Sequence, residues 1–202
     1  MTKAVIAGVF VGGEASRMAG RPKGLLTTSS GATIVDRWRE MLRSLGVPMV
    51  LVGAHAAYAH LGVSVIDDAP PGIGPLGGLL PLLQAAGRGR AIALACDMPF
   101  VSRALLERLL DARDAPIVAP RRDGRWEPMC AVYDAARVLP WAEARVQSRR
   151  FSLQGLLDDA GAKAMDLSAI ECAELRDWDS PQDVEASDRA SEGQVVEPGS
   201  GS

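Results

Sequence analysis

The chain has 202 residues, 48% of them apolar, and a formal net charge of -3 at neutral pH. This length and apolar content suit one globular domain and exclude a disordered chain, and the acidic balance argues against a nucleic-acid binder, which usually carries a basic surplus on one face. Three cysteines without a C-x-x-C pair favour neither a disulfide framework nor a zinc site and indicate a reducing, cytoplasmic compartment.

The first half of the chain alternates short apolar runs with helical patterns. Residues 4–11 form a continuous apolar run, which predicts a strand buried on both faces rather than the core of a signal peptide. Apolar residues at helical spacing predict a helix over 33–45 that stops at Gly46. Ser102 is the predicted cap of a later helix. Three further strands are predicted over 48–52, 63–66 and 91–96.

Residues 69–87 carry no charge and could be mistaken for a membrane span. They contain four prolines and five glycines. A helix with so many breaks cannot keep its backbone hydrogen-bonded inside a bilayer, so the segment predicts a loop and the start of a helix. No membrane association is therefore expected.

The second half of the chain has a different pattern. Residues 117–119 and 129–133 predict two strands joined by a turn at Asp123–Gly124. Ser152 is the predicted start of a leucine-bearing helix, and Ser180 precedes a proline at a further helix start. The polar composition at the end predicts a disordered tail, which gives a domain over 1–186 and a tail over 187–202.

Strands alternating with helices predict a single-domain, three-layer, Rossmann-like α/β fold. Right-handed crossovers would make the sheet mainly parallel, with helices on both faces. Ligands bind such sheets at the carboxyl ends of the strands. Asp68, Asp97 and the Gly12–Gly13 loop each follow a predicted strand end, so we expect them to meet at one edge of the sheet.

The glycine loop over 11–23 is the most informative segment. Gly12 and Gly13 would allow main-chain N–H groups to approach phosphate oxygens, because no Cβ blocks them. Arg17 and Lys23 would supply cations, one as a planar fork and one as a compact charge. The loop is not a Walker A motif. A solvated loop after a core strand would have the same composition, so the loop alone leaves both interpretations open.

The glycine loop resembles the signature of the molybdenum cofactor guanylyltransferase family. The matching residues are Gly12, Gly13, Arg17, Met18, Gly20 and Lys23. Three later segments resemble further family motifs in the same order, namely 74–78, 96–100 and 177–181, so the resemblance covers residues 3 to about 186. The departures are Phe10 and Val11 in place of Leu-Ala, Pro22 in place of a frequent Asp, and Gly53 in place of a nucleotide-contacting Asn.

The resemblance implies a magnesium-dependent nucleotidyltransferase that transfers GMP from GTP to molybdopterin and releases pyrophosphate. It implies Arg17, Lys23 and Asp97 as catalytic residues. Asp97 is also the first choice for a Mg²⁺ ligand, because this ion takes one or two protein carboxylates, and Asp179 is either a second ligand or a turn residue. Molybdoenzyme-maturation proteins are possible partners. The implied nucleotide-binding residues are Phe10, Val11, Gly12, Gly13, Lys23, Gly53, Asp68, Pro75, Gly77, Gly78 and Asp97.

Several alternatives stay open at this point. Pro22–Lys23 is typical of cytidylyl- and sugar-nucleotide transferases, so the base and the acceptor are not fixed. Asp67 could replace Asp68 beside the nucleotide after a shift of one residue. Residues 72–77 match G-x-G-x-x-G with Asp97 twenty residues further on, which is also a pattern of NAD-dependent dehydrogenases. A domain that binds a nucleotide without turning it over is the last alternative, and the oligomeric state is not indicated.

Overall fold

The computed structural model of the protein describes residues 3–12, 22–28, 31–53, 56–113 and 115–176. The helix start at Ser180 and the domain boundary at 186 lie outside these ranges and stay predictions. Within the same ranges, every helix is too short or too polar to cross a lipid bilayer.

One mixed sheet organises the described part of the chain. Its strands are β1 (Val5–Phe10), β2 (Met49–Val52), β3 (Val65–Ile66), β4 (Arg90–Ala95), β5 (Ile117–Arg122), β6 (Arg125–Trp126), β7 (Cys130–Asp134) and β8 (Lys163–Met165). They lie in the order β3-β2-β1-β4-β7-β5-β6, with β8 paired to β5. Strands β3, β2, β1 and β4 are parallel neighbours, whereas β7 runs antiparallel to both β4 and β5. The sheet therefore has a parallel core, as expected for the predicted fold class.

Helices cover both faces of the sheet, which confirms the three-layer architecture. They are α1 (Ile34–Ser44), α2 (Pro75–Ala86), α3 (Arg103–Asp111), α4 (Ala135–Gln147), α5 (Leu153–Asp159) and α6 (Ala169–Glu174). Along β4, Ile92 and Leu94 pack into the core shared with α1 and α3, whereas Ala91 and Ala93 pack into the core shared with α2, α4 and α5. This alternation is what a strand buried on both faces requires.

The predicted helix starts agree with the observed caps. The side chains of Thr33, Ser102 and Ser152 accept hydrogen bonds from backbone N–H groups in the first turns of α1, α3 and α5. Gly46 follows α1 with a φ of 67°, a left-handed conformation that glycine adopts without strain. Local capping chemistry therefore fixes where these three helices begin.

In the second half of the sheet, the prediction of which two strands the Asp123–Gly124 turn joins was wrong. The turn at Asp123–Gly124, with φ angles of 50° and 79°, joins β5 to the short strand β6 and not to β7. The chain then passes Pro128 before β7 begins, because proline cannot donate to a strand ladder. Helix α4 and strand β8 were not predicted. Residues 69–87, predicted as a loop and the start of a helix, contain the loop that precedes α2 and α2 itself.

A buried arginine joins the start of β4 to the end of α3. Arg90 is only 6% exposed, and its guanidinium donates to the carbonyl oxygens of Leu110 at 2.6 Å, Ala112 at 2.5 Å and Leu109 at 3.4 Å. Carbonyls at a helix C-terminus lack partners within the helix, and a cation there is favourable. The arginine therefore acts as the C-terminal cap of α3.

We expect Arg90→Ala to lower the free energy of unfolding by roughly 2–4 kcal/mol, because it leaves buried carbonyl groups without a donor. Urea denaturation measures this change. Arg88→Ala, two residues away and exposed, is the matched control and should change stability by less than about 0.5 kcal/mol. Equal stabilities of the two variants would contradict the capping role.

Candidate active site

A cavity of about 670 Å³ opens at the carboxyl ends of the parallel strands. Its volume lies within the range common for small-molecule sites. Its walls come from the ends of β1, β2 and β4, the loop before α2, and the segment between β6 and β7. The lining residues are Phe10, Val11, Gly12, Pro22, Lys23, Val52, Asp68, Gly72, Gly74, Pro75, Ala95, Cys96, Asp97, Met98, Glu127, Pro128 and Met129.

Hydrogen bonds fix the floor of the cavity at the end of β4. Phe10 and Ala95 are register partners, and the Cys96 N–H donates to the Phe10 carbonyl at 3.2 Å. The Ala95 N–H donates to the Met129 carbonyl at 2.8 Å. The indole N–H of Trp38 donates to the Ala95 carbonyl at 3.1 Å. Asp97 therefore follows a backbone held by both neighbouring strands and by α1.

Lys23 and Asp97 form an ion pair inside the cavity. The Lys23 Nζ lies 2.8 Å from Oδ2 of Asp97, and the two side chains are 23% and 21% exposed. Lys23 begins a short 3₁₀ helix, Lys23–Leu25, whose Gly24 N–H donates to the Tyr58 hydroxyl at 3.1 Å. A Cβ on Gly24 would lie 2.7 Å from Val35 and 2.9 Å from the Tyr58 oxygen, so only glycine permits this packing. The structure thus brings together two residues that are 74 positions apart.

The expected open main chain is not present at Val11 and Gly12. Both residues line the cavity, but their N–H groups donate to the Val52 carbonyl, at 2.9 and 3.3 Å. The two N–H groups are therefore directed at β2 and not into the cavity. Gly13 and Arg17, which continue the glycine loop, lie outside the described residues, so the remainder of the predicted phosphate loop stays a prediction.

Three predicted nucleotide-binding glycines are not among the described lining residues of the cavity. Gly53 has a φ of 90°, and a Cβ on it would lie 2.8 Å from the Cα of Gly12. A Cβ on Gly77 would lie 2.6 Å from the Pro70 carbonyl oxygen, and one on Gly78 would contact Asp68 and Phe10 at 2.9 Å. Gly53 and Gly77 therefore permit close approach of backbone segments, and Gly78 permits close approach of cavity side chains, rather than lining the cavity themselves. Pro75, in contrast, is a lining residue.

Asp68, rather than its neighbour Asp67, lines the cavity. It follows β3, at the far side of the parallel strands from β7. Burial raises the pKa of the Asp68 carboxyl above its usual range, and the charge of Asp67 adds to this rise. The geometry therefore answers which of the two acids faces the cavity.

The opposite wall of the cavity was missed by sequence reasoning. Glu127, Pro128 and Met129 lie between β6 and β7. Glu127 is held by Arg122, whose Nε lies 2.9 Å from Oε1. Burial raises the pKa of the Glu127 carboxyl, and Arg122 opposes this rise. An acidic residue directly before the proline that precedes a predicted strand was the available sequence signal.

The described lining residues carry one ammonium group and three carboxylates, those of Asp68, Asp97 and Glu127. Even with Arg122 paired to Glu127, these side chains offer no surplus of positive charge to a polyanion, so a cation that accompanies it would be favourable. Among the described residues, no cluster of three His, Cys, Asp or Glu side chains could hold a metal ion alone. Mg²⁺ needs only one or two protein carboxylates when phosphate oxygens complete its shell, so Asp97 fits this ion. Asp179 lies outside the described residues and stays a prediction.

Comparisons with known proteins agree with the sequence resemblance. Residues 7–160 match the family described as MobA-like NTP transferase domain. The molybdenum cofactor guanylyltransferase of Pseudomonas putida is 34% identical over 185 residues, which are 86% of this chain and 92% of that protein. The protein of the same name from Pseudomonas aeruginosa is 32% identical and covers 80% of this chain and 83% of its own length.

Two solved structures show the same fold. Molybdopterin-guanine dinucleotide biosynthesis protein A from Archaeoglobus fulgidus superposes with a TM-score of 0.74 at 19% identity, over 93% of this chain and 99% of that one. The 2-C-methyl-D-erythritol 4-phosphate cytidylyltransferase of Thermus thermophilus superposes with a TM-score of 0.66 at 17% identity, over 95% and 100%. At these identities the likeness concerns architecture alone.

The cavity thiol gives a test of how closed the site is. Cys96 is 8% exposed, and burial, reinforced by the charge of Asp97, raises its pKa to about 12. At pH 8 on the order of one Cys96 thiol in ten thousand would then be ionised, and the thiolate is the form that alkylates. We expect iodoacetamide to modify the half-buried Cys172 long before Cys96 in the native protein.

Mass spectrometry of the native and the urea-unfolded protein measures this order. All three cysteines should react after unfolding. Modification of Cys96 at the rate of Cys172 in the native protein would show that the cavity floor is open.

Proposed function

Because the chain belongs to the MobA-like NTP transferase family and is therefore a nucleotidyltransferase, we propose that it transfers GMP from GTP to molybdopterin and releases pyrophosphate. Relatives that match over most of the chain are named molybdenum cofactor guanylyltransferase. The observation that carries the proposal is the Lys23–Asp97 pair inside a cavity at the strand ends. One cation and one carboxylate that could hold a metal ion meet there, and both would serve nucleotidyl transfer.

In the proposed reaction, the phosphate of the acceptor attacks the α-phosphorus of GTP, and pyrophosphate leaves. A phosphate monoester has a second pKa near 6, so it is already largely ionised at neutral pH and needs no general base. The protein therefore contributes position and charge. Lys23 would contact the phosphate oxygens, and Asp97, freed from Lys23, would hold Mg²⁺, which when bound neutralises phosphate charge.

The charge of the cavity supports dependence on a divalent cation. Three carboxylates and one ammonium group line the described walls, and Arg122 offsets the charge of Glu127 alone. The described side chains thus supply no surplus of positive charge for a triphosphate, and a doubly charged ion on Asp97 would supply it. Arg17 would add a further cation from the glycine loop, and Asp179 could be a second ligand. The roles of both residues remain part of the proposal.

Guanine would lie between β1 and the start of α2. Phe10 and Pro75 offer apolar surface there, and Asp68 offers a carboxylate at the same end of the cavity. The N1–H and the 2-amino group of guanine are adjacent donors, and one carboxylate can accept both. Cytosine presents no such pair of donors in its neutral form, so Asp68 would favour GTP.

The dehydrogenase alternative does not fit the observed backbone. A dinucleotide fingerprint needs a tight turn from a strand into a helix. Here β3 ends at Ile66 and α2 begins at Pro75, so a loop over 67–74 separates them, and residues 72–77 include only its end and the first helical turn. Pro22 lines the cavity beside Lys23, which keeps a cytidylyltransferase as the second candidate.

We expect Lys23→Ala and Asp97→Ala each to reduce magnesium-dependent pyrophosphate release by more than about a hundredfold, because each removes charge at the reacting phosphates. The assay uses purified protein with GTP and molybdopterin. Asp67→Ala, which changes an acid outside the lining, is the matched control and should retain near-normal turnover. Unfolding is excluded by circular dichroism, and normal turnover of either cavity variant would remove that residue from the chemistry.

We expect GTP with Mg²⁺ to raise the melting temperature by roughly 5–10 °C at a hundredfold excess over its Kd, and CTP, ATP and UTP to raise it less. Asp68→Asn should shrink the advantage of GTP, because the amide presents a donor to one of the two guanine donors. Thermal shift measurements with all four nucleotides test this. A larger rise with CTP than with GTP would favour the cytidylyltransferase.

A further inference from the structure

Glu127 is a cavity carboxylate that the proposed transfer chemistry does not use. It lines the cavity, and its side chain is 16% exposed. A carboxylate loses hydration when it is buried, so a half-buried acid at a binding site needs hydrogen-bond donors from a neighbour or from a ligand. Arg122 supplies one such donor, to Oε1. Within the described residues, Oε2 receives none.

The backbone holds Glu127 in place. Its N–H donates to the Pro120 carbonyl at 3.0 Å, and its carbonyl accepts from the Cys130 N–H at 3.1 Å. These bonds tie it to β5 and to the start of β7, and the 2.9 Å contact with Arg122 restrains the side chain. The carboxylate is therefore pre-organised, which lowers the entropic cost of binding a ligand.

Glu127 lies on the side of Asp97 away from the proposed guanine pocket. The sheet order places Asp68, after β3, at one end of the strand row, and Asp97 after β4 near its middle. Glu127 precedes β7, the next strand beyond β4. With guanine beside Asp68 and the phosphates beside Asp97, the space beside Glu127 is left for the acceptor.

We propose that Glu127 determines specificity for the acceptor by accepting two adjacent N–H donors of its ring, such as the ring N–H and 2-amino group of a pterin. This inference rests on the proposed function, which gives the acceptor as a pterin carrying a phosphate. Each carboxylate oxygen can accept two hydrogen bonds, so the bond from Arg122 leaves room on both oxygens. A ring with a carbonyl in place of the amino group would place its carbonyl oxygen next to a carboxylate oxygen of Glu127, and two acceptors repel each other.

Arg122 is the positioning residue of this site. The positive charge of Arg122 favours the ionised form of Glu127. An ionised carboxylate accepts hydrogen bonds and cannot donate them, so it binds only donor groups of a ligand. A site built to bond a donor rejects an analogue that lacks it, because buried acceptors would be left unpaired. Glu127 would therefore discriminate between two pteridines of nearly equal size.

The test compares pterin with lumazine, the pteridine that has a carbonyl where pterin has its 2-amino group. Ligand-observed NMR titration, which detects millimolar affinity, is run with Mg²⁺ and α,β-methylene GTP, so that the guanine pocket is filled and no transfer occurs. We expect the wild-type protein to bind pterin at least about tenfold more tightly than lumazine. Equal affinities would overturn the inference.

The variant Glu127→Gln gives the sharper result. Its amide donates to the lumazine carbonyl and opposes one pterin donor, so the preference should vanish or reverse. The ratio of the two affinities is measured within one variant, so a general loss of stability cannot produce the reversal. Asp123→Asn, a similar change at an exposed acid of the same hairpin, is the matched control and should keep the wild-type ratio. An unchanged ratio in Glu127→Gln would overturn the assignment.

Failure of this inference is distinguishable from failure of the proposed function. If Glu127→Gln keeps the pterin preference while molybdopterin still drives pyrophosphate release from GTP, only the role of Glu127 is wrong. If GTP stabilises the protein but neither pteridine binds and molybdopterin drives no release, the acceptor in the proposed function is wrong, and the inference is overturned with it.

Discussion

The parallel pairing of β1 with β4 is the constraint on which the site depends. The two strands pair along their whole length, from Val5 opposite Arg90 to Phe10 opposite Ala95. This register makes the glycine loop and the Asp97 turn leave the sheet side by side. A slip of one residue would turn every side chain of a strand to the other face and bury different atoms in both cores. The packing of the two helical layers therefore also positions the chemistry.

The charged side chains of the cavity, more than its shape, determine which ligand groups can bind there. Its described walls carry an excess of carboxylates, although a nucleotide is itself strongly negative. The Lys23–Asp97 pair neutralises both partners, and a ligand that brings its own cation could replace this contact with one to each of them. In the proposed function, Asp68 and Glu127 would accept hydrogen bonds from the two rings, and the phosphates would lie between them beside Asp97. A dinucleotide product would need this arrangement.

The sequence predicted the parts of the fold that local chemistry controls. Caps at Ser102 and Ser152 and the apolar strand run at residues 4–11 follow from neighbouring residues, so their positions were close to those observed. The insertion of β7 between β4 and β5 depends on pairing between distant segments, and no local pattern specifies it. Helix α4 has a mixed surface with Pro140 inside it, which hid its periodicity.

The candidate site was predicted to a similar extent. Asp68, Asp97 and Lys23 follow strand ends or motif spacing, and the structure places all three on one cavity. Glu127 was missed because its position depends on that late strand insertion. The expected free N–H groups at Val11 and Gly12 are engaged by Val52, a contact across strands that composition cannot reveal.

The position of β7 has a consequence for how the chain folds during its synthesis. Strand β7 covers the side of β4 that β1 does not, but it leaves the ribosome after all four parallel strands. At usual elongation rates of about 5–20 residues per second, the stretch from Ala95 to Cys130 takes roughly 2–7 s. During that interval β4 is an unpaired apolar edge, which is where nascent chains associate wrongly. Among the described walls of the cavity, the one that carries Met129 is therefore synthesised last. A chain that terminates before β7 has the Asp97 turn but lacks the segment over 127–129 that encloses it.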